Sequence, residues 1–141
     1  MNKINLQRAI LGGLVAGVVL NIGEFLLNSV VLGPQMREFM ARRNLPADPG
    51  TNFLVVAVLL TFVLGIVIVW IYAAMRPRLG PGPKTAICAG LLAWFGIYLY
   101  SGIINAMLLQ VPTNTIILAL VWGAVQYSVA AIAGAWLYKE A

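Results

Sequence analysis

The chain of 141 residues has no histidine and a single cysteine, Cys88. The first absence excludes a zinc site built on imidazole, a histidine-ligated haem and catalysis by a histidine base. The second excludes a disulfide framework within the chain. Charge is also scarce. Asp, Glu, Lys and Arg make up 9% of the residues, whereas a soluble domain carries about 25%. So few charges cannot cover a water-exposed surface. Disorder is excluded as well, because it requires low hydrophobicity and 62% of this chain is hydrophobic. The mean hydropathy of +0.94 completes the picture of an integral membrane protein.

The few charges divide the chain. Residues 49–75 and 85–138 contain no Asp, Glu, Lys or Arg. A membrane-spanning helix needs about 20 apolar residues. The second stretch therefore holds two spans, separated by Gln110-Val111-Pro112-Thr113-Asn114. The expected class is all-α: one membrane domain of residues 1–141, a four-helix bundle with spans near 9–32, 52–75, 85–109 and 113–138. Gly33-Pro34 ends the first span, and the second ends before Arg76-Pro77. Thr or Asn is expected to cap the helix that follows each proline turn. The spans are continuously apolar rather than alternating, which disfavours a β-barrel. Lys3 and Arg8 before an apolar run resemble a signal peptide. The run continues through Leu32 with no clear A-x-A site, so a retained helix is expected.

Four spans put both termini on one side. That side holds Lys3, Arg8, Arg76, Arg78, Lys84 and Lys139; the other holds Arg37, Arg42 and Arg43. The bias predicts both termini inside, in a bacterial inner membrane. The net charge of +5 is split between two membrane faces, so nucleic acid is not an expected partner.

Residues 9–32 laid over 86–109 match at Ala9/Ala86, Ile10/Ile87, Gly13/Gly90, Leu14/Leu91, Ala16/Ala93, Asn28/Asn105 and Leu32/Leu109. Thr51-Asn52 and Thr113-Asn114 open the second and fourth spans alike. Trp70-Ile71-Tyr72 and Trp136-Leu137-Tyr138 close them about one turn out of register. A duplicated helix pair, residues 9–75 and 86–138, accounts for this. Chance matching of small apolar residues is the alternative.

Of the four acids, only Glu24 lies inside a span. An ionisable group at this depth is expensive and should face protein or water. Gly13, Gly17, Asn21, Glu24 and Asn28 step by three or four and share one helix face. On the third span Gly90, Trp94, Tyr98, Ser101 and Asn105 do the same. The two stripes are expected to meet, with Tyr98, Ser101 and Asn105 donating to Glu24. The fourth span adds Gln126, Tyr127 and Ser128. No span carries a Lys, Arg or His to pair with Glu24, so desolvation favours its neutral form. Two readings stand. In one, Glu24 responds to a proton or cation, with Trp94 and Tyr98 as an aromatic wall. In the other, Glu24 fixes helix register through hydrogen bonds, and the aromatics are core packing.

Between the first two spans, Met36, Phe39 and Met40 recur at spacings of three and one beside Arg37, Glu38, Arg42 and Arg43. This pattern predicts a short amphipathic helix in the headgroup layer, with a Glu38–Arg42 pair. Docking another protein is its other use. Leu45-Pro46-Ala47-Asp48-Pro49-Gly50 returns as a stiff loop. Residues 76–84 alternate Gly and Pro and should not be helical; their cations suit anionic headgroups. They lack the spacing of a phosphate-binding P-loop. Trp70, Tyr72, Trp136 and Tyr138 fit an aromatic belt.

A small-residue first span, a carboxylate within it and aromatics in the third resemble small bacterial four-helix membrane proteins of unknown function. In architecture, through Glu24 with Trp94 and Tyr98, the chain is also similar to small multidrug transporters. It has no matching motif around those residues and carries an extra amphipathic loop. The resemblance implies binding or translocation of a proton, cation or hydrophobic solute at a site centred on Glu24. Four helices enclose little space, so transport implies a homodimer. The alternative is an accessory subunit of a larger membrane complex. A lipid-modifying enzyme ranks last: a hydrolase needs a nucleophile–base pair, and the other carboxylates are Glu38, Asp48 and Glu140. No enzyme activity, cofactor or metal is expected.

Overall fold

A computed structural model describes residues 3–140. It contains α1 (Leu6–Phe25), α2 (Gly33–Arg42), α3 (Thr51–Leu79), α4 (Pro83–Trp94), α5 (Ser101–Leu108) and α6 (Thr113–Leu137), with no strand among the described residues. A π-helical turn, Leu26–Val31, extends α1, and a second, Phe95–Tyr100, joins α4 to α5. Four segments are long and apolar enough to cross a membrane: Leu6–Val31, Thr51–Leu79, Pro83–Leu108 and Thr113–Leu137. The architecture is an all-α bundle of four spans, with α2 as the short helix between the first two.

Lipid tails give helices no hydrophobic reason to associate, so close packing must hold the spans together. Small residues provide it. A Cβ at Gly65 of the second span would lie 2.9 Å from Gly17 Cα of the first. Only hydrogen fits at such a crossing. Gly12 and Gly134 meet similarly between the first and fourth spans, where a Cβ on Gly134 would lie 2.7 Å from Gly12 O. Around these crossings the core is mostly alanine, with Leu20, Ile68 and Val69 as its largest fully buried side chains.

Both termini and residues 80–82 lie at one end. Tyr72 and Tyr138 close it, edge to face with centroids 6.0 Å apart. Asn5 N–H donates to the Tyr138 hydroxyl at 3.2 Å, and Gly82 N–H donates to the Tyr72 hydroxyl at 3.3 Å. Arg76 pairs with Glu140 at 3.7 Å. The belt expectation therefore divides. Trp70 and Trp136 point outward, whereas Tyr72 and Tyr138 are buried seals. Each tyrosine hydroxyl accepts from a backbone amide at a helix start.

Three local expectations are corrected. The second span does not stop before Arg76-Pro77 but runs through Pro77 to Leu79. One turn from the end, proline forfeits a single amide hydrogen bond. Gly80 N–H still closes on Arg76 O at 2.9 Å, and Gly80, at φ 81°, ends the helix. Residues 76–79 are thus helical and the linker shrinks to 80–82. The starts of α3 and α6 carry no side-chain cap: Gly50 and Pro112 hold the cap positions. Asn114 instead accepts from Thr115 N–H at 2.9 Å. Finally, the first span ends in a π turn and the third is interrupted by one.

At the opposite end, α2 carries the expected Glu38–Arg42 ion pair. Arg43 stacks on Phe39, its Cζ 3.7 Å from the ring centroid, and donates to Leu109 O. That bond ties α2 to the turn between the third and fourth spans.

Candidate functional site

Glu24 lies past the middle of the first span, between the glycine crossings and the first π turn. It is half-buried. One carboxylate oxygen, Oε1, accepts from the Tyr98 hydroxyl of the third span and from Gln126 Nε2 of the fourth, the latter at 2.6 Å. The other, Oε2, accepts from Asn28 Nδ2 at 3.0 Å. One carboxylate thus draws donors from three spans. Gln126 Nε2 also reaches the Tyr98 hydroxyl at 3.4 Å.

Small residues make room for these groups. Gly23 precedes Glu24, and a Cβ there would lie 3.1 Å from Gln126 Cδ and nearer still to its Oε1. Gly123 faces the Tyr98 ring, where a Cβ would lie 2.6 Å from Cδ1. Tyr127 meets the same ring edge-on, with centroids 5.4 Å apart. Two indoles fix the fourth span in place: Trp122 Nε1 donates to Gly23 O at 3.1 Å, and Trp94 Nε1 donates to Leu120 O at 3.0 Å.

The expected stripes are only partly brought together. Glu24, Asn28 and Tyr98 meet. Asn21 donates to Gly17 O of its own helix at 2.9 Å. Trp94 serves the packing of the fourth span. Ser101 and Asn105 do not reach Glu24; they donate to Gly96 O and Ser101 O of their own span and are exposed. The cause is the π turn at Phe95–Tyr100. One extra residue rotates everything beyond it by roughly 100°, so Ser101 and Asn105 leave the face that Tyr98 occupies. Ser128 likewise bonds within its helix, to Ala124 O.

Gln126, which the fourth span was expected to add, completes the site together with Trp122, Gly23 and Gly123, which were not among the candidate residues. A signal existed for two of them. Gly123 and Gln126 are three apart on one face of the fourth span, the small-then-polar pattern that marked Gly17, Asn21 and Glu24. Nothing in the sequence indicates that an indole seeks Gly23 O.

The hydrogen bonds accommodate both protonation states. As a carboxylate, Glu24 is acceptor-only and takes three donors. As a carboxylic acid it must donate once. Gln126 Oε1 is buried without a hydrogen-bond partner, and a turn of that amide offers it as acceptor. Asn28 also lines a crevice of about 190 Å³ with Ser29, Gly33, Met36 and Arg37, which links the cluster to the α2 end. Comparison with protein-family models, with curated proteins and with solved structures returns no match to this chain.

Proposed function

We propose that this small multi-pass membrane protein binds a proton at Glu24 and exchanges it for a cation or a hydrophobic solute entering through the Asn28 crevice. The observation that carries the reading is the convergence of Tyr98, Gln126 and Asn28 on one intramembrane carboxylate, with no basic residue among its hydrogen-bond partners and the basic residues of the spans, Arg8, Arg76, Arg78 and Lys84, at the other end of the bundle. An intramembrane ionisable group is costly, and a cluster that accepts it in either protonation state suits repeated loading and release. Both π turns adjoin the site, one starting two residues after Glu24 and one containing Tyr98. Such turns recur at functional sites. The basic bias supports a reading with the termini on the inner side of a bacterial inner membrane and the crevice on the outer side.

The test is reaction of the liposome-reconstituted protein with a carbodiimide, which modifies protonated intramembrane carboxyls, followed across pH. Labelling at Glu24 should fall as pH rises, and a transported cation should protect it. Glu24→Gln should abolish labelling and any coupled flux while preserving the fold by circular dichroism. Labelling that ignores pH and cations overturns the proposal.

A second reading, an accessory subunit in a homodimer or larger membrane complex, is favoured by one observation. Asn28, Ser29, Ser101 and Asn105 are exposed at membrane depth, where polar groups seek partners. Cysteines at Ser101 or Asn105 that cross-link in native membranes would support it.

A further inference from the structure

The cluster at Glu24 leaves a second, roomier cavity without a role. It is a cleft of about 860 Å³ at the α2 end, between α2 and the outer third of the third span. Its volume is that of a site for a small organic ligand. One wall is the apolar face of α2: Met36, Phe39 and Met40. The other is Gly102, Ala106 and Leu109. The sequence pattern places that face of α2 at the headgroup boundary, and in the fold it looks onto the cleft. The cleft is lined mainly by apolar groups, with Gln35, Asn105, Gln110, Asn114 and Thr115 among them, and lies beside a reservoir of acyl chains.

The rim has the complementary chemistry. Arg42 and Arg43 line it together with Glu38. Arg43 is held in place by Phe39 and by Leu109 O. A guanidinium has five N–H donors, so several remain for an anion. Arg42 is engaged only by an exposed pair with Glu38, both side chains more than half exposed. Such a pair is worth little and exchanges readily for a phosphate.

We propose that this cleft is a binding site for an anionic phospholipid, with one acyl chain between α2 and the third span and the phosphate at Arg42 and Arg43. The apolar walls select a chain, the rim selects negative charge, and the depth supplies the lipid from the bilayer. The site is independent of the reading of Glu24. A bound lipid adds to the tie that Arg43 already makes between α2 and Leu109 O.

The experiment is native mass spectrometry of the full chain released from nanodiscs containing equal phosphatidylglycerol and phosphatidylcholine. The wild type should retain phosphatidylglycerol preferentially. Arg43→Gln should retain lipid but lose about fivefold of that preference. Gly102→Phe should lose retention of both lipids by about tenfold or more, since each excluded methylene forfeits binding. Gly102 has room for a side chain, its nearest neighbour being Leu120 Cδ2 at 4.0 Å from an added Cβ. Should Gly102→Phe fail to fold, the wild type and Arg43→Gln decide the matter. Equal retention of the two lipids by the wild type overturns the proposal. So does full retention in a folded Gly102→Phe, or displacement of the lipid by soluble glycerol phosphate.

Discussion

The two ends of the bundle are built on different rules. Towards the termini, glycines bring backbones together, alanines fill the seams and two tyrosines close the end. Towards α2, the second span is exposed almost all round from Phe53 to Leu60, two helices carry π turns, and polar groups face outward. The first end spends its sequence on contact and the second on polar chemistry and open volume. Close packing and open volume are therefore separated along the bundle axis. The Glu24 cluster sits at the boundary between them, with the close-packed glycine crossings on one side and the π turns on the other.

The largest expected effect tests the rigid end. Gly65→Leu forces a side chain into the backbone of Gly13 and Gly17. Overpacking usually costs about 1–3 kcal/mol, and more where only backbone can yield, so at least about 3 kcal/mol is expected. Gly102→Ala at the open end should change stability by less than about 1 kcal/mol. Steric-trap unfolding in bicelles measures both. Equal losses at the two glycines would end the distinction between the halves.

Next come substitutions at the boundary. Gln126→Leu removes a donor to Glu24 and to Tyr98 and should cost about 1–2 kcal/mol. Tyr98→Phe removes one donor and should cost about 1 kcal/mol. Both should change the pH dependence of carbodiimide labelling at Glu24, whereas Gly65→Ala in its surviving folded fraction should not. Tyr138→Phe, at the sealed end, removes the acceptor of Asn5 N–H and should cost about 0.5–1.5 kcal/mol with no effect on labelling. A labelling change there would mean that the ends are coupled.

The same division decides how far the fold was legible. The four spans follow from charge gaps, because burying a charge in lipid costs more than any local preference recovers. The glycine stripe followed from spacing, since an uninterrupted helix keeps its faces in register. That register brings Glu24 to the third and fourth spans, but Gly13 and Gly17 pack on Ile66 and Phe62 of the second span rather than on the third. Beyond Trp94 it fails, because a π turn leaves no mark in residue type and displaces Ser101 and Asn105 from their expected face. Of Gln126, Tyr127 and Ser128 on the fourth span, only Gln126 bonds to Glu24: which of three neighbours makes the contact depends on a crossing that single-helix periodicity does not encode. Tyr72 and Tyr138 were misjudged because the belt rule treats tyrosine and tryptophan alike, while a hydroxyl near a helix start can find an amide.

The smallest effect sharpens the comparison at the open end. Glu38→Gln breaks the ion pair with Arg42 on exposed α2. A fully hydrated i,i+4 pair contributes only about 0.3–0.5 kcal/mol, so global unfolding should scarcely register the change. The substitution nevertheless releases Arg42 at the rim of the large cleft and removes the one acid beside it. If the open end is built for binding rather than stability, preference for an anionic lipid should rise while stability stays level. A variant that loses stability instead would make α2 part of the scaffold, and the division between the two ends would have to be drawn beyond it.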